Sequence, residues 1–229
     1  MNRSFITLPA LKILIFIFLS LIFSSAHTQS NDNNKDWRNY NWKEKKNKDG
    51  IKIYTANMKN SKYDAVYGTM IVNSGVNNLV ALVRDTEACQ QWADLCKESR
   101  VEKKISEVEY YVYTYNDIPF PVTDRDVVAK VNWSQDPNSL DVIMLTEPVM
   151  GIVEKTGAVR IKEADSRWYF LPQEDGTTKV ETFAHINPNG PTPAWLTNML
   201  LVSSPFKTMK GMRDIVEGGA YADANSIFK

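Results

Sequence analysis

The sequence runs to 229 residues with 27 basic and 27 acidic side chains, a length that suits one sizeable domain or two small ones. With no net charge and no cluster of four or more Lys or Arg on one face, it lacks the electrostatic footprint of a nucleic-acid binder or strong attraction to an anionic membrane. Its two histidines and two cysteines form no zinc-ligand spacing, no Cys/His pairing and no nucleophile elbow.

The first element is a secretory signal in pattern. Arg3 and Lys12 give a positive start, Ile13 to Phe23 is an almost unbroken apolar run, and Ser24-Ser25-Ala26 supplies the small residues read by a signal peptidase. The apolar run is too short for an anchor, since spanning a bilayer takes roughly 20 residues. Cleavage after Ala26 is therefore expected, with 1–26 as signal peptide and the mature chain exported, either periplasmic or secreted. No Cys lies near that point, which argues against a lipoprotein. Removing 26 of 229 residues leaves 203, with 25 basic and 27 acidic side chains once Arg3 and Lys12 are gone. A chain of that length buries roughly 70% of its unfolded surface, ample for a core or a cavity. Residues 27–36 are polar and Asn-rich and read as a flexible leader.

From Asp36 to Lys48, Trp37, Tyr40 and Trp42 stand among charges, which predicts a short amphipathic helix with its aromatics inward. Lys48-Asp49-Gly50 signals a turn into a strand, Ile51 to Thr55. Tyr63 to Asn73 reads as a second strand, ended by Ser74-Gly75. Leu79, Leu82 and Val83 give Asn77 to Trp92 helical spacing. Cys89 and Cys96 sit roughly 10 Å apart on a continuous helix, too far to bridge. If the helix ends near Trp92, Cys96 can fold back onto Cys89 and a disulfide becomes available.

The period then changes to two. Val108, Tyr110, Val112 and Thr114 share one side of a strand from Glu107 to Tyr115. Val127, Ala129, Val131 and Trp133 share one face of the next, Asp126 to Trp133. Asp136-Pro137-Asn138-Ser139 is a hairpin turn to a returning strand, Leu140 to Thr146. Ala158 to Glu163, Arg167 to Leu171 and Thr178 to Ile186 complete the strands. Helical period returns from Pro193 to Glu217, through Trp195, Leu196, Met199, Leu200, Phe206, Met209, Met212, Ile215 and Val216. Pro205 either starts a second helix capped by Ser204 or kinks a single long one. Residues 219–229 carry no pattern and read as a loose tail. Strand runs separated from helices indicate an α+β domain with antiparallel hairpin connections.

Four segments resemble one family. Pro119-Phe120-Pro121-Val122-Thr123-Asp124-Arg125-Asp126-Val127-Val128 resembles the START-domain segment in which a proline pair and Arg-Asp precede a strand. Asp49-Gly50-Ile51-Lys52-Ile53-Tyr54 looks like the family's opening turn and strand. Gly157-Ala158-Val159-Arg160 resembles the strand start after its lid loop, and Pro193-Ala194-Trp195-Leu196-Thr197-Asn198 the start of its closing helix. The four stand in the family's order, so residues 37–218 resemble a START lipid-binding domain. The resemblance implies a helix-grip fold, a curved antiparallel sheet wrapped around a long C-terminal helix with an internal apolar tunnel. It also implies that one lipid or other hydrophobic molecule is bound and transferred without a cofactor or metal, by a monomer that touches membranes only transiently.

On that frame the tunnel is expected to be lined by Tyr110, Val112, Thr114, Val131, Trp133, Met144, Arg160, Met199, Phe206 and Met209. Val112 and Val131 fall where steroid-carrying members place a buried Glu and Arg, so the sterol-specific charged pair is missing here. Each apolar side chain could equally be plain core, since its burial is worth roughly 1.5–3 kcal/mol in either setting. The loop Glu147 to Lys155, with Pro148, Val149, Met150, Ile152 and Val153, is unusually apolar for a loop and is expected to be the lid or a loop packed on the final helix. Arg125 and Asp126 read as a structural pair, Arg125 hydrogen-bonding carbonyls at the strand entrance. Arg160 is placed either against a ligand phosphate or carboxylate or in an ion pair with Glu163 or Glu181.

Two rival functions stay open. One is a cavity-based enzyme of the same broad fold, aromatase/cyclase- or hydrolase-like, which needs a general acid or base in the cavity. Its histidine candidate is His185, in a strand. The other is an interaction module whose interior is filled.

Overall fold

The computed structural model describes residues 37–190 and 193–228. The expected signal peptide, the processing point after Ala26 and the leader 27–36 lie outside the described residues. The described residues form a 10-stranded sheet: β1 (Lys43–Lys48), β2 (Ile51–Ala56), β3 (Ala65–Val72), β4 (Cys96–Lys104), β5 (Glu109–Asn116), β6 (Arg125–Gln135), β7 (Val142–Pro148), β8 (Val159–Arg160), β9 (Glu163–Pro172) and β10 (Thr178–Asn187). The spatial order is β1-β2-β3-β10-β9-β7-β6-β5-β4, antiparallel at every step. Only β8 departs from the expected antiparallel run, pairing parallel with the first two residues of β6.

The helices are α1 (Val76–Arg84), α2 (Cys89–Trp92), α3 (Ala194–Asn198) and α4 (Ser204–Glu217), with a π-helical turn at Met199–Ser203 between the last two. The terminal run is therefore one helix with a widened turn, neither restarted by a Ser204 cap nor broken. Pro205 has no N–H to give the carbonyl four residues back, and its ring would strike that carbonyl in a regular α-turn. The wider turn relieves this: the Ser204 N–H reaches Met199 O, five residues back. Among the described residues no helix is long and apolar enough to cross a membrane.

Three local expectations change. The predicted helix from Asp36 to Lys48 is a 3-10 turn, Trp37–Asn39, followed by β1. The six residues of β1, Lys-Glu-Lys-Lys-Asn-Lys, carry no apolar helix face, and as an exposed edge strand their lysines discourage pairing with another chain. The Asn77–Trp92 helix is α1, a 3-10 turn (Thr86–Ala88) and α2. Asp85 breaks it by leaving helical backbone and accepting the Ala88 N–H at 3.2 Å. Because α2 ends at Trp92, Cys96 returns to Cys89 and the two are disulfide-bonded, with Cα atoms 5.9 Å apart. The tail is not loose. The Tyr221 hydroxyl donates to Asp85 Oδ2 at 2.7 Å, and Tyr221, Ile227 and Phe228 pack on the core.

The sheet buries both faces near its middle. Its inner face meets α1 and α4 through Ile53, Val72, Leu79, Leu82, Phe170, Val180, Met209 and Met212. On the outer face Trp37 stacks on Phe183 with centroids 5.5 Å apart, and its indole N–H donates to the Tyr169 hydroxyl at 3.0 Å. The aromatics at 37, 40 and 42 thus do turn inward, onto a sheet.

α4 crosses α2 backbone to backbone. A Cβ on Gly211 would lie 2.7 Å from Trp92 O and 2.9 Å from Trp92 Cα, with no flexible side chain to give way. Gly211→Ala is expected to cost about 1–3 kcal/mol as overpacking, lowering Tm by roughly 2–12 °C for a chain of this size. A thermal melt reads it directly; a shift below about 1 °C would mean α2 floats free of α4.

Candidate functional site

A cavity of about 270 Å³ lies between the inner face of the sheet and the first half of the terminal helical run. Its floor follows from strand register. Ala184 of β10 sits opposite Val66 of β3 and Ser166 of β9, and all three line the hollow. In the next row Thr182 lies between Gly68 and Trp168. Small side chains at 166, 182 and 184 leave space that a row of Leu or Phe would fill. The hollow stops at Gly68, because Met209 occupies that notch: a Cβ on Gly68 would fall 2.6 Å from the Met209 Sδ.

Leu196, Leu200, Leu201 and Pro205 form the roof, and Leu95 and Ile118 the sides. The lining is mainly apolar, with Tyr63, Asp64, Asp94 and Arg125 as its ionisable members.

None of the residues expected to line the tunnel lines this cavity. The expected inner face of β5 and β6 is right: Tyr110, Val112, Val131 and Trp133 turn inward, as does Met144 of β7, but they are packed into the core with Phe206 and Met209. Trp133 donates its indole N–H to the Tyr110 hydroxyl at 2.8 Å. Thr114 pairs with Ser99 at 3.2 Å, and Met199 is half-buried in the π-turn. Large side chains close that end of the groove, so the hollow forms further along, where β5 ends at Asn116 and β6 begins at Arg125.

Arg160 pairs with neither Glu163 nor Glu181. Its guanidinium grips Asp126 bidentately, Nε–Oδ1 2.6 Å and Nη2–Oδ2 2.9 Å, with side-chain exposures of 9% and 0%. It also donates to the carbonyls of Val153 at 3.2 Å and Glu154 at 3.0 Å, tying the 149–158 loop to β6. Asp126 further accepts from Thr156 Oγ1 at 2.7 Å and from the Tyr113 hydroxyl at 3.4 Å. Burial alone would raise its pKa, but the hydrogen bonds from Arg160, Thr156 and Tyr113 outweigh it and hold the carboxyl below the ordinary carboxylate value. Arg160 is therefore a structural cation, spent on the loop.

Arg125 does bond carbonyls, as expected: Nε to Pro188 O at 3.3 Å, Nη2 to Asn189 O at 3.1 Å, and Nη1 to Thr123 O. It does not pair with Asp126, because successive strand residues point to opposite faces. Asp126 turns outward and Arg125 inward, into the cavity wall.

The 147–155 loop contributes nothing to the lining. Glu147 and Pro148 still belong to β7, and the Val149 N–H continues the ladder to Val128 O at 2.8 Å. Val149 and Val153 are half-buried, whereas Met150 and Ile152 are exposed at 55% and 42%. His185 lies outside the cavity lining, its Nε2 placed 3.0 Å from Ser61 Oγ and 3.2 Å from Tyr63 O. Among the described residues no His, Cys, Asp and Glu group is arranged to hold a metal ion.

Tyr63, Trp168, Leu196 and Leu200 line the cavity although none of them was expected there. The available signal was the run of small residues, Ser166, Thr182 and Ala184, on strands otherwise rich in large side chains.

A START domain family model matches residues 24–218. An uncharacterized protein of Pseudomonas aeruginosa is 31% identical over 176 residues, spanning 77% of this chain and 87% of that protein. The STAR-related lipid transfer protein from Xanthomonas axonopodis superposes with a TM-score of 0.70 at 29% identity, covering 77% of this chain and 98% of the other. Human StAR-related lipid transfer protein 5 gives a TM-score of 0.70 at 15% identity, covering 77% and 86%, a likeness of fold.

Proposed function

This chain belongs to the START domain family, and on that premise we propose that it is an exported, non-enzymatic carrier that binds one single-chain hydrophobic molecule in the cavity beneath α3 and the π-turn. The observation that carries the reading is the hollow itself, a mostly apolar space of about 270 Å³ where the sheet's small residues face the helix. Ligand pockets run from about 300 to 1,000 Å³, so this one, just below that range, suits a slender ligand.

The roof residues Leu196, Leu200 and Leu201 belong to the terminal helical run, so we assign the gate to α3 and the π-turn. Widened turns recur where helices must adjust for function. The exposed Met150 and Ile152 are the membrane-touching tip in this reading, held in place by Arg160. Transfer follows when the helix lifts at a membrane surface. Export accords with the signal-like pattern of 1–26 and with the Cys89–Cys96 disulfide, a bond that persists in oxidising compartments. Against an enzyme stands the position of His185, the one histidine among the described residues, whose ring is engaged outside the cavity.

Titration with parinaric acid, a fluorescent fatty acid, tests the carrier reading. Saturation at one probe per chain, reversed by unlabelled fatty acid, is expected. A signal that rises without saturating, or none, would leave only an α+β domain of this fold.

A further inference from the structure

We propose that the cavity selects an acidic headgroup, a carboxylate or a phosphate carried on one hydrocarbon chain, and that Arg125 and Tyr63 are the residues that hold it. This rests on the carrier reading and specifies its ligand.

Arg125 is 5% exposed and lines the cavity. Among the described residues it has no carboxylate partner: its hydrogen bonds go to the carbonyls of Thr123, Pro188 and Asn189. Asp124 acts on it only at a distance, with no ion pair or hydrogen bond between them, its oxygens accepting from the Tyr115 hydroxyl at 2.6 Å and the Ile118 N–H at 2.8 Å. A guanidinium has five N–H donors and keeps its charge in proteins. Three donors are used, which leaves about two, one on each terminal nitrogen. Neutral carbonyls satisfy donors but leave the charge without a counter-ion in contact, and buried charges are ordinarily paired. Burial holds the Arg125 pKa below the ordinary guanidinium value, as expected of a cation lacking an anion.

Tyr63 supplies the second, independent sign. It lines the same cavity as Arg125, and its hydroxyl oxygen is buried with no hydrogen-bond partner among the described residues. Such an orphan calls for an absent partner. An anion between the two groups would accept from the Tyr63 O–H and the spare Arg125 N–H, and would supply the missing charge.

The other acids on the wall are already answered. Asp64 accepts from Asn57 Nδ2 at 2.6 Å, and Asp94 has its counter-ion in Lys207, whose Nζ lies 3.4 Å from Oδ1, although its buried Oδ2 has no hydrogen-bond partner among the described residues. The space limits the tail. A cavity of about 150 Å³ takes benzene, so 270 Å³ encloses about a dozen carbons, and because the hollow is open on one side a longer tail, the probe's included, would project from it.

The test compares dodecanoate, dodecyl phosphate and dodecanol as competitors of the fluorescent probe. Both anions are expected to bind at least about tenfold more tightly than dodecanol, the size of one charge-assisted hydrogen bond, and the tighter of the two identifies the headgroup. Tyr63→Phe removes only the orphaned hydroxyl, so the fold is kept while the preference for anions falls about tenfold. Arg125→Met is expected to abolish the preference; where its loss of carbonyl bonds prevents folding, Tyr63→Phe decides. Dodecanol binding as well as dodecanoate, or an unchanged preference in Tyr63→Phe, overturns the headgroup assignment and leaves the carrier reading standing. Failure of all three to displace the bound probe overturns the headgroup assignment alone, whereas failure of the probe itself to bind removes both.

Discussion

Asp126→Asn is expected to lose about 3–5 kcal/mol of stability, the cost of breaking a buried ion pair and leaving its partner uncompensated. For a chain of this size that lowers Tm by roughly 6–20 °C. The carboxylate is fully buried and answers Arg160 through two hydrogen bonds, with Thr156 and Tyr113 on its remaining lone pairs. An amide keeps the shape but cannot serve two guanidinium donors, and Arg160 is left charged. Replacing Arg160 by Met in the same chain removes that orphaned cation and should recover part of the loss. The pH dependence has a definite sign. The folded-state pKa of Asp126 is depressed, so its contribution is full above the unfolded value of about 3.9. It drains away as pH falls through the folded value. Urea unfolding at pH 7 and at pH 3 should therefore show the gap between wild type and Asp126→Asn narrowing in acid. A gap below about 1 kcal/mol at pH 7 would mean the pair behaves as a surface bridge.

Ala184→Trp is expected to reduce ligand binding at least about tenfold, the effect of losing some 1.4 kcal/mol of contact, while the protein stays folded. Ala184 stands in the middle of the cavity floor, between Val66 and Ser166, so an indole there projects into the space the ligand's chain would occupy. The strand itself accepts the change, since aromatic residues suit strands. Met144→Ala is the matching control. Met144 is core outside the cavity lining, so its truncation should cost about 2–5 kcal/mol and leave affinity unchanged. Circular dichroism melts and probe titrations on the pair separate the two effects. Full binding by Ala184→Trp would place the ligand elsewhere.

The sequence showed the faces of the fold better than its depth. Period-two alternation in β5 and β6, and helical spacing from 193 to 217, were sound because burial on one face writes itself into residue choice. The edge strands β1 and β4 left no such trace: both are mostly charged and exposed. Alternation also reports which side chains turn inward without saying which of them meet a neighbour. Tyr110, Val112 and Trp133 turn inward and find packing; Asn116 and Arg125, at the other end of the same two strands, turn inward and find a hollow. The large residues drew attention, while Ser166, Thr182 and Ala184, which make the space, looked featureless.

The two arginines carry the same lesson. Arg125 and Asp126 are neighbours in sequence, and reading them as a pair overlooks the strand alternation that sends them to opposite faces. The carboxylate goes to Arg160, thirty-four residues away. That exchange frees Arg125 for the cavity and withdraws Arg160 from it.

Native mass spectrometry of the full-length protein, before and after incubation with dodecanoate, addresses the central claim, an apolar space between the sheet and α3 that holds one guest. A single adduct per chain, present in wild type and absent from Ala184→Trp, is the predicted result. Bare protein in both samples, or adducts at several per chain that survive Ala184→Trp, would contradict it.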